Sequence, residues 1–244
     1  MTVPRRPVLA EPRPQAAGER GRNAFLIGNV GRLGGELLDA LLESPRYVRV
    51  AVAVRKPMRS HIWKLEPVAV PPTREGWDPA KALTVPVDDL FLCIEPERAS
   101  FWKVATPYVA LTSREAVAIA RAMRAAGARR VALLTPMEAL HQMGMMAAIR
   151  DVDELAIHQC GFERMLVLRP SEEAPAGAPA GFFGAIGALV TRTLASYMTP
   201  RRQQPVRARQ AAQAAVEALA TMEDGLQVID AARLRELVGD PMGS

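Results

Sequence analysis

Cysteine is almost missing from this 244-residue chain, which holds only Cys93 and Cys160. Neither stands at metal-ligand spacing, so a disulfide framework and a thiolate zinc site are excluded. Two buried free thiols in a reducing cytoplasm are the expectation. The three histidines, His61, His141 and His158, are scattered and form no metal-binding cluster. Aromatic residues make up 5% of the chain. The short basic clusters Arg5-Arg6, Arg129-Arg130 and Arg201-Arg202 have no aromatics interleaved with them. They read as solvated surface or anion contacts, and no nucleic-acid partner is expected. Long apolar runs are also absent. Phe182–Met198 is too short and is interrupted by Arg192, so no membrane span is expected; a helix covering a pocket or forming an oligomer contact fits it better. Residues 1–22 are rich in Pro, Arg, Ala and Glu and contain no apolar signal core, which predicts a disordered tail.

What is present is apolar bulk and arginine. Hydrophobic residues make up 49% of the chain, enough for one large α/β domain, and the net charge of +5 is carried overwhelmingly by arginine.

One stretch organises the rest. The apolar run Ala24–Ile27 meets glycines at Gly28, Gly31 and Gly34. An amphipathic segment follows, with Leu33, Leu37, Leu38, Leu41 and Leu42 at helical spacing, and then a second apolar run, Val48–Val54, ending at Arg55-Lys56. Strand, glycine turn, helix and strand make the βαβ unit that holds a dinucleotide. Gly28 permits the tight turn, Gly31 a close approach of backbone to a pyrophosphate, and Gly34 close packing of helix on strand. The helix N-terminus directs unpaired N–H groups at the anion.

Further elements follow in alternation. Pro67–Val70 is a candidate strand, and the segment around Trp77 and Pro79 is a loop. Asp89–Ile94 is a strand ending at Glu95. Thr112-Ser113-Arg114-Glu115 is a capping box that starts a helix running to Ala126, ahead of Gly127. Val131–Leu134 is a strand, Met143–Gln159 a helix and Glu163–Leu168 a strand. Val206-Arg207-Ala208 is a short candidate strand. Gln210–Met222 is a helix, Leu226–Ile229 an extended run and Ala231–Val238 a last helix. This order predicts an α/β fold, a doubly wound parallel Rossmann-like sheet. Residues 23–170 would form the dinucleotide-binding core, and residues 171–244 a small C-terminal lobe completing the same domain.

The ordered set resembles the atypical short-chain dehydrogenase/reductase family, and within it small NAD(P)H-binding members related to the Tat-interacting oxidoreductase-like protein. The residues carrying the resemblance are Gly28-x-x-Gly31-x-x-Gly34, Arg55, the strand end at Glu95, Leu133-Leu134-Thr135, Arg150 through Ala156, Leu168-Arg169-Pro170 and Pro205-Val206. It implies a cofactor-binding turn made of Gly28, Asn29, Val30, Gly31, Arg32, Leu33 and Gly34. Arg55, after the second strand, either accepts a 2′-phosphate or is a solvated strand end, and Arg32 can serve the same purpose. No acid stands there to take a ribose hydroxyl, so NADP is favoured over NAD.

Two departures accompany the resemblance. The family's hydride chemistry uses a Tyr four residues before a Lys. Met146 and Arg150 match those positions, and the serine region reads Thr135-Pro136. Arg150 could still hold a ribose or phosphate, whereas Met146 cannot transfer a proton. None of Tyr47, Tyr108 and Tyr197 precedes a lysine by four residues. The second departure is Glu95, where the family usually places a small residue. It would crowd a pyrophosphate unless it turned away or paired with an arginine.

Three functions follow. The first is a nucleotide-binding sensor or partner-binding protein without the catalytic pair, acting with a protein partner or as a homo-oligomer. The second is an active NADPH-dependent oxidoreductase with a relocated proton donor, among Tyr108, Tyr197, His141 and Glu138. The third is a structural or assembly subunit without nucleotide.

Overall fold

The computed structural model describes residues 21–71, 77–95, 106–135, 151–170 and 208–238. Strand β1 (Arg22–Ile27) sends Ala24 and Leu26 to one side of the sheet and Phe25 and Ile27 to the other. A strand apolar on both faces is stable only where both are covered, which is the situation of a parallel sheet between helices. Strands β2 (Tyr47–Val54), β3 (Leu65–Ala69), β4 (Asp89–Cys93), β5 (Arg130–Leu134), β6 (Arg164–Arg169) and β7 (Gly225–Asp230) complete one sheet in the order β3-β2-β1-β4-β5-β6-β7. Strands β2, β4, β5 and β6 repeat the pattern, whereas the edge strands β3 and β7 do not. Every pairing is parallel.

Helices α1 (Arg32–Glu43) and α5 (Ala208–Thr221) pack together on one face, where Leu37 and Leu41 share a core with Ala211, Ala215 and Leu219. Helices α3 (Ser113–Ala125) and α4 (Asp151–His158) cover the other face through Ile119, Met123 and Ile157. The one-turn α2 (Pro79–Ala82) precedes β4, and α6 (Ala231–Val238) follows β7. The result is the expected doubly wound α/β sheet.

The chain leaves β1 for β2 and β3 and then returns to β4 on the other side of β1. The crevice where this order reverses, at the carboxyl ends of β1 and β4, is where open α/β sheets bind ligands.

The capping box at Thr112 is formed. Thr112 Oγ1 accepts from the Glu115 N–H at 3.4 Å, while the Glu115 carboxylate accepts from the Thr112 N–H at 2.9 Å. Three expectations need correction. Strand β3 starts at Leu65 and ends at Ala69; Pro67 is tolerated because this is an edge strand, where a missing N–H costs little. The segment at Pro79 is a turn of helix rather than loop, with Asp78 accepting from the Ala80 N–H and Pro79 at the first turn. Ala208 is the first residue of α5 and not part of a strand. Val206 and Arg207 lie outside the described residues, as do residues 143–150 of the helix expected over Met143–Gln159. The apolar segment Phe182–Met198 also lies outside them. No helix among the described residues is long and apolar enough to cross a membrane.

At the amino ends of β2, β4 and β5 the sheet buries a polar cluster. Asp89, fully buried, accepts from Tyr47 Oη at 2.8 Å and from Arg130 Nε at 2.5 Å. Burial pushes the Asp89 carboxyl up, against the pull of Arg130 and of the Tyr47 hydrogen bond. Burial, reinforced by Asp89, raises the Tyr47 hydroxyl well above its usual range. The cluster lies at the end of the sheet opposite the glycine turn, so its role is to tie strands together.

Candidate functional site

The site begins where β1 ends. Gly28 has φ +95°, and a Cβ there would fall 1.8 Å from the Cys93 carbonyl oxygen of the neighbouring β4. Only glycine meets both conditions. The turn then closes with the Val30 N–H donating to the Gly28 carbonyl at 2.8 Å, and Gly31 becomes the N-cap of α1.

Helix α1 starts without a side-chain cap of its own and without an acid in its first turn. Its unpaired N–H groups therefore need an acceptor from elsewhere. Glu95, two residues past β4, supplies it. Its Oε1 accepts from the N–H of Gly31 and of Gly34, each at 2.8 Å, and its Oε2 accepts from the N–H of Leu33 at 3.1 Å. The carboxylate lies 7% exposed, directly at the helix N-terminus. Burial raises its pKa, opposed by the hydrogen bonds from Gly34, Gly31 and Leu33 and by the Cys93 thiol.

Glu95 thus neither turns away nor relies on an arginine, the two accommodations expected of it. It ligates the backbone. The glycines fit around it: a Cβ on Gly31 would sit 2.3 Å from Glu95 Oε2, and one on Gly34 would sit 2.5 Å from Oε1 and 2.4 Å from Asn29 Cα. Gly31 itself has φ −106°, an ordinary extended value, so close approach alone demands glycine there.

Asn29 lies in the same turn, 2% exposed, and neither Oδ1 nor Nδ2 has a hydrogen-bond partner among the described residues. A buried amide without partners is costly. Val30 and Leu33 are each 4% exposed and anchor the turn in the core.

The remaining predicted residues divide. Arg32 is exposed on the first turn of α1. Arg55 is exposed just past β2, and its Nε donates to the Tyr108 carbonyl at 2.7 Å. Arg150, Met146, Tyr197, His141 and Glu138 lie outside the described residues. Tyr108 bridges to Val54 at the end of β2, and its hydroxyl is pushed up by burial and by Asp39, which makes it a weaker acid. Cys93 is buried and Cys160 is only partly so, with its Sγ donating to the Ala156 carbonyl. No group of His, Cys, Asp and Glu among the described residues could hold a metal ion.

The backbone of the turn fits a dinucleotide pyrophosphate: it presents converging N–H groups at a helix start beside the sheet crevice. The side chains as arranged do not, because Glu95 holds the same donors. Sequence reading flagged Glu95 as a conflict but missed its role as a ligand. The signal available was a helix with no acid in its first turn beside a strand that ends in one. Nothing in the sequence marked Asn29 as unpartnered.

No protein-family model matches the chain, and no curated protein matches it in sequence. Solved structures match in fold. The Bordetella bronchiseptica enzyme WbmH in complex with NAD+ aligns with a TM-score of 0.52 and 13% identity, over 89% of this chain and 79% of that one. Citrobacter sp. triphenylmethane reductase complexed with NADP(H) gives 0.51 and 13%, over 84% and 68%. The fold is Rossmann-like. A short chain dehydrogenase family protein from Francisella tularensis subsp. tularensis SCHU S4 also aligns, at a TM-score of 0.49 and 11% identity, over 88% of this chain and 99% of that one. At such identities the likeness is one of fold.

Proposed function

We propose that this chain is a dinucleotide-binding protein of the atypical short-chain dehydrogenase/reductase type that works as a nucleotide-responsive binding protein rather than through Tyr–Lys hydride chemistry. One observation carries the reading: three backbone N–H groups converge on a single anion at the start of α1, in the sheet crevice. An anion seat so placed suits a diphosphate. Two structural neighbours, one in complex with NAD+ and another with NADP(H), agree with that ligand class.

NADP(H) is the preferred form. Arg32 and Arg55 are exposed on the first turn of α1 and past the end of β2, and no acid follows β2 to favour a ribose hydroxyl. The resemblance to the Tat-interacting type of protein belongs to the same proposal, as does a protein or second-copy partner. Chemistry disfavours ordinary hydride transfer here. Methionine at 146 has no proton to give, and arginine at 150 does not lower a phenol's pKa in the manner of lysine. Tyr108 is a poor substitute donor, since its hydroxyl is made less acidic by burial.

A second reading, a structural subunit that holds no nucleotide, is favoured by the completeness with which Glu95 satisfies the turn. Titration with NADPH, NADH and ADP-ribose, followed by calorimetry, separates the two. Binding of NADPH more tightly than NADH is expected. Absence of binding by all three at millimolar concentration, in wild type and Glu95→Gln alike, would leave the structural reading standing. If NADPH binds, its oxidation should stay at background across a panel of carbonyls and quinones.

A further inference from the structure

We propose that Glu95 is an exchangeable internal anion: its carboxylate keeps the pyrophosphate seat closed, and a dinucleotide enters only by displacing it. The proposal deepens the reading above and rests on it.

Two observations carry it. The first is occupancy of the same donors. Gly31, Leu33 and Gly34 each have one N–H, and all three are given to Glu95. A pyrophosphate at this helix start would need those groups, and two anions cannot share them in a buried space. The steric record agrees. The points where Cβ atoms would stand on Gly31 and Gly34 lie within 2.5 Å of the carboxylate, so the hollow left by the two glycines is filled by Glu95 itself.

The second is Asn29. The position of a Cβ on Gly34 is 2.5 Å from Glu95 Oε1 and 2.8 Å from Asn29 Cβ, which puts the carboxylate and the base of the Asn29 side chain around one spot. Yet Asn29 gives its amide to nothing among the described residues, at 2% exposure. Glu95 therefore satisfies the helix but not the turn. A diphosphate has more oxygens than a carboxylate and can accept from the Asn29 amide as well as from the backbone. The closed arrangement is complete at α1 and incomplete at Asn29, which is what a replaceable occupant leaves behind.

The consequence is a conformational tax on binding. Affinity is reduced by the fraction of molecules whose seat is open, and anything that weakens the internal contact restores it. Glutamine at 95 keeps the shape but has one acceptor oxygen and points N–H donors at N–H donors, so it holds the seat poorly. Alanine removes the occupant altogether.

The test measures NADPH and ADP-ribose affinity by calorimetry for wild type, Glu95→Gln and Glu95→Ala, with inorganic pyrophosphate as competitor. Circular dichroism checks that each variant is folded, and Glu95→Gln stands in if Glu95→Ala does not fold. The expected result is at least tenfold tighter binding in the variants, with pyrophosphate competing. Asn29→Ala in the Glu95→Gln background should then lose a large part of that gain. Equal affinities in wild type and variants would overturn the internal anion while leaving nucleotide binding intact. No binding of any probe to any form would overturn the reading on which the proposal rests.

Discussion

Replacing Gly31 by alanine tests whether the glycine hollow is shaped around Glu95. The backbone of Gly31, at φ −106°, accepts any residue. The added methyl, however, would stand 2.3 Å from Glu95 Oε2 and 2.4 Å from its Cδ. Glu95 is only 7% exposed and cannot swing aside without leaving the seat. Either the turn opens or Glu95 leaves three N–H groups without an acceptor. Overpacking costs about 1–3 kcal/mol, and a lost helix cap costs about 0.5–2 kcal/mol. Gly31→Ala should therefore destabilise by roughly 1–3 kcal/mol, whichever of the two outcomes occurs. In a Glu95→Ala background the clash has no partner. There the same substitution should fall within about 1 kcal/mol of neutral, the ordinary range for glycine to alanine where the backbone permits it. Urea unfolding of the four proteins, followed by circular dichroism with the slope checked for constancy, gives the coupling. An equal cost of Gly31→Ala in both backgrounds would refute the reasoning, because the methyl would then be meeting something other than Glu95.

Three further outcomes are expected. Thr112→Ala removes the acceptor for the Glu115 N–H and should cost about 1 kcal/mol in the same unfolding assay; no change would mean that the capping box contributes nothing to α3. Asp89→Ala strands Arg130 and Tyr47 in the sheet, at a cost of roughly 3–5 kcal/mol, and Tyr47→Phe should cost less, since it leaves the Asp89–Arg130 pair intact. The pH dependence has a defined sign. Asp89 and Glu95 are both raised in the folded protein, so above the ordinary carboxylate range near pH ~4 the native state keeps protons that the unfolded chain has lost. Their contribution to stability is present at low pH and is lost as pH rises through the folded values. Glu95→Gln should flatten that part of the profile, and a steeper fall in the variant would contradict the direction given for Glu95.

The fold is legible because its central strands hold runs that are apolar at consecutive positions and lie between helices with one apolar face. Ala24 through Ile27, Val50 through Val54 and Leu90 through Cys93 have no polar alternate, and such runs need cover on both sides. The Thr112 box was equally legible, since its two partners are three residues apart and need no tertiary information. The misreadings have different causes. Pro67 suggests a strand start, but at a sheet edge proline also sits inside the strand, and Asp78-Pro79 is itself a helix-start signal and not a loop. Position in the sheet, which local sequence does not state, decided the first.

The glycine turn was read correctly as a turn and incompletely as a site. Gly28 is required by the fold alone: its positive φ and the Cys93 carbonyl beside it would demand glycine with or without any ligand. Gly31 is different, because what it makes room for at the helix start is an anion, while Gly34 makes room for that anion and for the Asn29 backbone together. A glycine pattern cannot say whose anion that is. Here the donors are held by a carboxylate 61 to 64 residues further along the chain, brought in by the pairing of β1 with β4. The same three N–H groups suit a diphosphate equally well. The pattern therefore identifies a seat, and the competition between Glu95 and a nucleotide for that seat decides what the seat is for.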